Sequence, residues 1–290
     1  MKIVIIGSSV AGHNAAIKLR QKYQDAGLTL ICEEAYAFYD RRKLLDYWSG
    51  RIKEKELFLI SADFYSQQNI NFIKEAKVVA VNPGARRVSY KLGEKRTSLE
   101  YDFLVVASGS KTSLPEIDGI NKTGVFRFES LADFKELKST VMLDAVCIIN
   151  ANHFTPKIIE SITSRQIEVK LVTQEVLENL SSMVELINSE VVEIIGDSGV
   201  QAIKLKEGKA IGVSWVGVMS GLKPNTDFLK DTGIEMIGSA IAVDDNMRTS
   251  IPDIFACGSV CLRRGETPGI KTWEDSMAEG LSVAENILKS

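Results

Sequence analysis

The chain has 290 residues, of which 45% are hydrophobic, and a formal net charge of -3. This length and composition exclude a disordered chain and suffice for two packed domains. Basic residues are scattered among acidic ones, which argues against nucleic acid as a partner. No apolar run reaches the roughly 20 residues that cross a bilayer, and the chain begins in a core strand without a signal sequence. We therefore expect a cytoplasmic protein with no membrane partner.

The residues that most often carry thiol or metal chemistry are few. They are Cys32, Cys147, Cys257, Cys261, His13 and His153. The cysteines contain no C-x-x-C pair and are too sparse for a disulfide scaffold, and the histidines lack metal-ligand spacing. We therefore expect no bound metal, and we interpret the cysteines as small buried apolar residues. A redox role for Cys257 or Cys261 is left open.

The N-terminal segment predicts a β-α-β unit with a nucleotide-binding turn. The apolar strand Lys2–Ile6 leads into GSSVAG at residues 7–12, and an amphipathic helix follows over residues 11–23. Such a turn presents backbone N–H groups and the positive end of a helix dipole to an anion, usually a pyrophosphate. A second strand at residues 28–32 ends in Glu33 and Glu34, where a carboxylate can accept hydrogen bonds from a ribose.

The rest of the first domain predicts a short helix, two antiparallel strands around a turn, and a buried strand that ends at Gly109. These elements lie at residues 62–68, 77–81, 86–90 and 101–109. The first domain is then interrupted at residues 110–115.

A second β-α-β pattern follows, but its turn lacks glycine. The strand, helix and strand lie at residues 144–149, 156–164 and 167–172, and the turn between the first two reads NANHFT at residues 150–155. Side chains at positions where the backbone must touch phosphate block that approach, so we do not expect a dinucleotide bound there in the usual way. A meander of short strands over residues 191–218 follows.

From residue 240 the chain returns to the first domain. The segment IFACGSV at residues 254–260 predicts a strand that ends at a glycine turn, and a helix over residues 273–288 follows it. We expect the opening turn and this closing segment to hold one long cofactor together.

Nearly the whole chain resembles the FAD-dependent pyridine nucleotide-disulfide oxidoreductases. The opening turn and EEAYAFYDRRKL at residues 33–44 are similar to rubredoxin reductases, ferredoxin reductases and the nitrite-reductase flavin domain, whose pattern is Tyr-x-Arg-Pro-x-Leu. The segments GLKPNTDFL and VDDNMRTSIPDIFA look like thioredoxin reductases. The resemblance implies an α/β fold of two Rossmann-like three-layer domains. A discontinuous FAD domain, at residues 1–112 and 240–290, would surround a degenerate NAD(P)-type domain at residues 113–239.

The resemblance also implies which residues contact FAD: glycines and small residues at the pyrophosphate, a carboxylate at the ribose, and a strand backbone at the adenine. For the adenosine and pyrophosphate these are Gly7, Ser9, Val10, Ala11, Gly12, Glu33, Glu34, Val78 and Val79. For the phosphates, ribityl chain and flavin ring they are Arg41, Lys43, Ala107, Ser108, Gly109, Gly258, Ser259, Ser276 and Met277.

The chain departs from the family pattern at several positions. Ser9 replaces the middle glycine, Arg42 stands where the family has proline, and Ser259 replaces the aspartate that usually binds the ribityl chain. The redox cysteine pairs of the family are absent, so thiol exchange is not the expected reaction. We name no catalytic acid or base, because the flavin carries the chemistry and the protein supplies anchoring and charge.

We expect an FAD-dependent oxidoreductase that passes electrons from a nicotinamide or another donor to a small acceptor or an electron-transfer protein. One alternative is an FAD-binding subunit without nicotinamide binding that acts within a redox complex, which the turn at residues 150–155 favours. Another is an N-terminal site that holds NAD and no flavin. NAD(P)H as a second nucleotide, the identity of the partners and the oligomeric state are left open.

Overall fold

The computed structural model describes residues 1–140, 145–175 and 181–287. The chain divides into two compact units. Unit 1 comprises Met1–Tyr39, Phe58–Lys111 and Lys223–Ser290, and unit 2 comprises Asp40–Leu57 and Thr112–Leu222. The predicted domain bounds differ from this division because they place residues 40–57 in the first domain and residues 223–239 in the insertion. Those bounds stay a prediction.

Helices and strands alternate along the described residues. The helices are α1 (Val10–Lys22), α2 (Leu44–Ser49), α3 (Phe64–Gln67), α4 (Leu131–Ser139), α5 (Thr155–Thr163) and α6 (Trp273–Asn286). The strands are β1 (Lys2–Ile6), β2 (Gly27–Ile31), β3 (Ile70–Ile73), β4 (Ala76–Asn82), β5 (Arg87–Leu92), β6 (Lys95–Glu100), β7 (Phe103–Val106), β8 (Ser110–Thr112), β9 (Val125–Phe126), β10 (Val146–Ile149), β11 (Val169–Val172), β12 (Val184–Ile187), β13 (Val191–Ile195), β14 (Ala202–Leu205), β15 (Ala210–Gly212), β16 (Val216–Val218), β17 (Leu222–Pro224), β18 (Met236–Ile237), β19 (Ala240–Val243), β20 (Ile254–Ala256) and β21 (Cys261–Arg263).

The central sheet of unit 1 has five parallel strands in the order β20-β7-β1-β2-β3. Most side chains of β1 and β7 are buried, which is typical of parallel strands covered on both faces. Because the strands run in the same direction, their carboxyl ends meet at one edge of the sheet. The first β-α-β unit is confirmed, and β20 brings the closing segment into the same sheet as β1.

Helices α1 and α6 pack directly against each other in unit 1. A Cβ added to Gly280 of α6 would lie 2.2 Å from the carbonyl oxygen of Ala11 in α1. The two helices can therefore approach this closely only with glycine at this position. Helix α6 begins at a capping box in which Thr272 and Asp275 bond each other's backbone N–H groups. The predicted end of this helix at residue 288 lies outside the described residues. None of the helices in the described ranges is long and apolar enough to span a bilayer.

Unit 1 also contains two three-stranded sheets. The antiparallel sheet β4-β5-β6 contains the two antiparallel strands that the sequence predicts, and the sheet β18-β19-β21 lies in the C-terminal segment. Strands β3 and β6 were not predicted. The sequence of β6, KRTSLE, has one large apolar residue, so no apolar alternation marks it as a strand.

Unit 2 contains a second parallel sheet, in the order β12-β11-β10-β16-β9. The predicted strand–helix–strand pattern is present as β10, α5 and β11, although residue 144 of the predicted first strand lies outside the described residues. Strands β10 and β11 are largely buried because both faces of the sheet are covered. The predicted α/β class with parallel sheets is confirmed.

The prediction of one meander over residues 191–218 is wrong at its end. Strands β13, β14 and β15 form an antiparallel sheet, but β16 leaves it and pairs in parallel with β10. All three residues of β16 are buried, and a Cβ on Gly217 would lie 2.6 Å from the Phe128 ring. A short apolar run of this kind belongs to a covered parallel strand, and its partner lies too far away in sequence for a local pattern to reveal.

Residues 40–57 are attached to unit 2 by contacts with α4 and α5. The guanidinium carbon of Arg165 lies 4.1 Å from the ring centroid of the buried Trp48, and Arg165 also donates to the Trp48 carbonyl oxygen. Lys135 of α4 pairs with Glu54 at 2.7 Å. These contacts join residues more than 80 positions apart, which explains why sequence patterns did not assign the segment to unit 2.

Candidate functional site

The turn between β1 and α1 presents the start of a helix at the carboxyl edge of the sheet. Gly7 has φ +101°, and a Cβ there would lie 2.2 Å from the Ala107 carbonyl oxygen. Ser9 is the N-cap of α1, but its side chain caps no amide, and the first turn holds no acidic residue. The first amides of a helix have no acceptor within the helix, so they and the helix dipole are oriented toward an anion.

The loop after β7 lies beside this turn and is held by hydrogen bonds. Ser108 Oγ donates to the Asn225 carbonyl oxygen at 2.8 Å, and the Asn225 N–H donates to the Gly109 carbonyl oxygen at 2.8 Å. Ser110 Oγ donates at 2.8 Å to the carbonyl oxygen of Ser259, which follows β20. Gly109 has φ +70°, a conformation that favours glycine. The ends of β7 and β20 therefore form one hydrogen-bonded surface.

Gly258 connects the end of β20 to both packed helices. It has φ +79°, and a Cβ there would lie 3.0 Å from the Ala11 side chain of α1. The same Cβ would lie 4.0 Å from the side chain of Ser276, a buried residue of α6. Met277, the next residue, is 36% exposed.

The end of β2 carries the two predicted ribose ligands. Glu33 is exposed and pairs with Lys77 at 3.2 Å, whereas Glu34 accepts a hydrogen bond from the Tyr39 hydroxyl at 2.6 Å. The Ala76 N–H donates to the Cys32 carbonyl oxygen at 2.8 Å and so joins the start of β4 to the end of β2. The carboxylates and β4 are therefore neighbours.

A β-bulge lies in β4 at the predicted adenine contact. Val78 pairs with Tyr90 and Ala80 pairs with Ser89, so Val79 has no partner residue in the register of this ladder. A bulge leaves one residue unpaired and re-aims the strand. The irregularity falls on Val78 and Val79, one of which would meet adenine through its backbone if the family resemblance holds at this position; that contact stays a prediction.

The predicted site residues of unit 1 gather at the carboxyl edge of the parallel sheet, in α6 and in β4. Arg41 and Lys43 belong instead to unit 2. Arg41 Nη1 donates to the Glu129 carbonyl oxygen at 2.5 Å, and the exposed Lys43 is the N-cap of α2. The roles of these two cations toward phosphate or flavin stay a prediction.

Comparison with known proteins identifies the family. The family model described as pyridine nucleotide-disulphide oxidoreductase matches residues 1–151 and 160–280. The chain belongs to the pyridine nucleotide-disulphide oxidoreductase family. The NADH-rubredoxin oxidoreductase of Clostridium acetobutylicum is 30% identical over 93% of this chain and 70% of its own length. The assimilatory nitrate reductase electron transfer subunit of Bacillus subtilis is 24% identical over 93% of this chain and 37% of its own length.

Solved structures agree on the fold. The water-forming NADH oxidase from Lactobacillus brevis superposes with a TM-score of 0.88 over 99% of this chain and 69% of its own, at 22% sequence identity. Such a likeness shows the fold alone. Most of these relatives are longer, since the chain spans between 30% and 80% of the curated relatives it matches.

Members of this family are oxidoreductases that bind FAD, and the structure of unit 1 fits this cofactor. The first amides of α1 are not capped by the Ser9 side chain and can donate to phosphate oxygens. A Cβ on Gly12 would lie 1.8 Å from the Gly7 carbonyl oxygen, so the turn is as tight as a pyrophosphate-binding turn requires. The individual contacts of the site residues with FAD stay a prediction.

The corresponding turn of unit 2 does not fit a dinucleotide bound by its pyrophosphate. The Asn152 N–H donates to Thr155 Oγ1 at 2.8 Å, the Phe154 N–H to Asn152 Oδ1 at 2.9 Å and the Thr155 N–H to the Asn152 carbonyl oxygen at 3.0 Å. These amides are already used within the turn. Asn150, with φ +64°, also donates its side-chain amide to Ser220 Oγ at 2.9 Å.

The cysteines are buried and carry no disulfide. Burial raises the pKa of Cys261 to about 12 and that of Cys257 well above its ordinary value. A thiol is nucleophilic only as its thiolate, so these side chains do not support thiol exchange near neutral pH. Across the described ranges, no group of three or more histidine, cysteine or acidic residues could hold a metal ion.

Sequence reasoning missed two residues that hold the site together. Asn225 bonds both Ser108 and Gly109, and Glu279 of α6 accepts a hydrogen bond from the Gly258 N–H at 2.8 Å. Glu279 lies on the buried face of α6, beside Ser276 and Gly280. The sequence does contain a signal for Glu279, because its carboxylate falls on the apolar face of an amphipathic helix. A carboxylate is rarely buried without a specific partner.

Proposed function

We propose that this chain binds FAD in unit 1 and passes electrons from a nicotinamide or another donor to a small acceptor or an electron-transfer protein. The observation that carries the proposal is the uncapped, glycine-tight start of α1 at the edge of a sheet that also contains β20. The family and the Clostridium relative, named an NADH-rubredoxin oxidoreductase, support it. Bound FAD would supply the redox chemistry.

The protein would bind and orient the cofactor through groups of unit 1. The α1 amides would bind the pyrophosphate, Glu33 or Glu34 would accept hydrogen bonds from the ribose, and the bulge at Val79 would expose backbone to the adenine. The hydrogen-bonded ends of β7 and β20 would line the ribityl chain and the ring. Ser276 and Met277 would complete this surface from α6.

A second candidate function is an FAD-binding subunit that receives electrons from a partner and not from NAD(P)H. It is favoured by the turn at residues 150–155, whose amides are bonded within the turn. The name of the Bacillus relative, an electron transfer subunit, also supports it. Electron transfer through bound FAD is common to both candidates.

Anaerobic mixing with NADH and with NADPH separates the two candidates. The purified protein is first reconstituted with FAD, and the absorbance of the oxidised flavin is then followed after each nucleotide is added. Rapid bleaching supports the enzyme with a nicotinamide donor. Persistent oxidised flavin that dithionite still reduces supports the subunit.

Extraction of the bound nucleotide provides the control for the cofactor itself. Heat-released material that contains FAD supports the proposal for unit 1. A preparation that contains NAD and takes up no flavin would overturn it and favour the third reading of the N-terminal turn. We further propose a cytoplasmic location, which the four cysteines support because none of them is in a disulfide and reduced thiols persist in that compartment.

A further inference from the structure

Helix α6 buries a carboxylate against the turn that follows β20. The Glu279 side chain is only 3% exposed, and its Oε2 accepts a hydrogen bond from the Gly258 N–H at 2.8 Å. Its Oε1 lies 2.6 Å from Lys271 Nζ and 3.6 Å from Arg263 Nη1. One carboxylate thus joins a backbone amide of the cofactor site to two cations.

A buried carboxylate is costly unless its charge is compensated. Lys271 is itself 12% exposed, so the Lys271–Glu279 pair is shielded from solvent and from salt screening. The Cys261 Sγ is 3.9 Å from Glu279 Oε2 and remains protonated, because burial raises the pKa of this thiol to about 12. Cys261 therefore contributes a weak donor and no charge.

The bond from the Gly258 N–H adds a restraint to a turn in which the Gly258 carbonyl oxygen also accepts from the Cys261 N–H, at 3.2 Å. Gly258 has φ +79° and no side chain, so neighbouring groups must define its position. A hydrogen bond from an amide to a carboxylate is shorter and stronger than one to a neutral acceptor. Glu279 therefore positions the Gly258 amide and also compensates the charge of Lys271.

We propose that Glu279 is a positioning residue for FAD in unit 1, and that its pairing with Lys271 sets the reduction potential of the flavin. The inference rests on the proposed function, in which Gly258 and Ser259 lie along the ribityl chain and ring. Loss of the negative charge leaves Lys271 without its carboxylate partner, whereas Arg263 keeps Glu266 at 3.0 Å. The added positive field of Lys271 stabilises the reduced, anionic flavin. Loss of Lys271 has the opposite effect.

Two charge-neutralising variants and their combination test the proposal. Glu279→Gln keeps an oxygen acceptor for the Gly258 amide and removes the charge, so the midpoint potential should rise. Lys271→Met should lower it, and the double variant should return it close to wild type. Each single shift should correspond to about a tenfold change in the ratio of oxidised to reduced flavin, or ~30 mV for a two-electron couple.

Glu285→Gln is the matched control, because Glu285 lies on the same helix and pairs with Lys18 and Lys22 at the surface. It should leave the potential unchanged. Glu279→Met removes the acceptor as well and should weaken FAD binding about tenfold, as for the loss of a hydrogen bond to a charged group. Titration with FAD and circular dichroism accompany each potential measurement, so a variant that does not fold is recognised.

The outcomes distinguish this inference from the proposed function. If the wild-type chain binds no FAD, the proposed function fails. If the wild type binds FAD but Glu279→Gln and Lys271→Met have the potential of Glu285→Gln, Glu279 is merely structural and the inference is wrong. If Glu279→Gln does not fold, the sign of the Lys271→Met shift decides, since an unchanged or raised potential contradicts the proposal.

Discussion

Single glycines at the start of α1 determine whether the backbone can adopt the cofactor-binding turn. Gly12 is helical, and a Cβ there would lie 1.8 Å from the Gly7 carbonyl oxygen and 3.3 Å from the Ala107 side chain. By helix propensity alone, alanine would stabilise this position by about 1 kcal/mol. The two effects have opposite signs, so one substitution separates them.

We expect Gly12→Ala to lower the free energy of unfolding by about 1–3 kcal/mol, because overpacking against backbone outweighs propensity. FAD affinity should fall at least about tenfold, because the shifted turn misplaces the α1 amides. Chemical denaturation and FAD titration measure both effects. Gly221→Ala is the control, since a Cβ there meets nothing within 4 Å. An unchanged FAD affinity in Gly12→Ala would contradict the assigned turn.

His13 gives unit 1 a specific sensitivity to acid. Its ring stacks on Phe38 at 4.1 Å, and Nδ1 lies 2.9 Å from the Tyr65 hydroxyl. Burial lowers the pKa of His13 to about 4, below the value near 6.5 in an unfolded chain. Between these values the unfolded chain binds a proton that the folded chain does not. His13 therefore stabilises the fold fully above about pH 6.5 and progressively less as the pH falls toward 4.

We expect wild type to lose about 1–2 kcal/mol more stability than His13→Gln between pH 7 and pH 5. Denaturant unfolding at the two pH values measures this difference at a fixed FAD concentration. A histidine-ring NMR titration provides an independent check, with His153→Asn used to assign the two signals. A midpoint near the ordinary histidine value for His13 would show that the ring is not buried in solution.

At the scale of elements, the contact of α2 with α5 anchors residues 40–57 in unit 2. Trp48 is fully buried, and the guanidinium carbon of Arg165, two residues beyond the end of α5, lies over its ring at 4.1 Å from the centroid. Lysine keeps the charge but cannot reproduce a flat stack with several donors. We therefore expect Arg165→Lys to destabilise unit 2 by about 1–2 kcal/mol, measured through the fluorescence of its buried Trp48 and Trp215.

Arg127→Lys is the matched control for Arg165→Lys, because Arg127 donates to the exposed side chain of Asn121. It should change stability by less than about 0.5 kcal/mol, as is usual at surface positions. Equal effects of the two substitutions would show that the Trp48 stack contributes nothing specific.

Elements whose residues are close in sequence could be predicted, whereas long-range pairings could not. The unit β1-α1-β2 and the pattern β10-α5-β11 follow from local apolar periodicity and turn residues. The parallel pairing of β16 with β10 and the contact of Trp48 with Arg165 join distant parts of the chain. In the candidate site the sequence identified the glycine turns, but it missed Glu279, whose partners Gly258 and Lys271 are recognisable only in three dimensions.

At the scale of the whole molecule, the cofactor proposal concerns unit 1 and predicts where FAD protects the backbone. A ligand stabilises the folded state that it binds by an amount that grows with the logarithm of its free concentration, ~2.7 kcal/mol at a hundredfold excess over the dissociation constant. We expect FAD to slow amide hydrogen exchange at residues 7–12, 76–82 and 256–260 of unit 1. The β10-α5-β11 segment of unit 2 should show no comparable change.

The same exchange experiment tests the predicted roles of Arg41 and Lys43. Protection of residues 40–57 on addition of FAD would support a contact of these cations with phosphate or flavin, because contacts of unit 2 already order this segment without ligand. Unchanged exchange there would remove Arg41 and Lys43 from the site.

The Gly12→Ala variant tests whether one ligand contacts both ends of the chain. At an FAD concentration that saturates only wild type, the variant should lose protection at residues 7–12 and at residues 256–260 together. Loss at the turn alone would show that the opening and closing segments do not hold the same molecule.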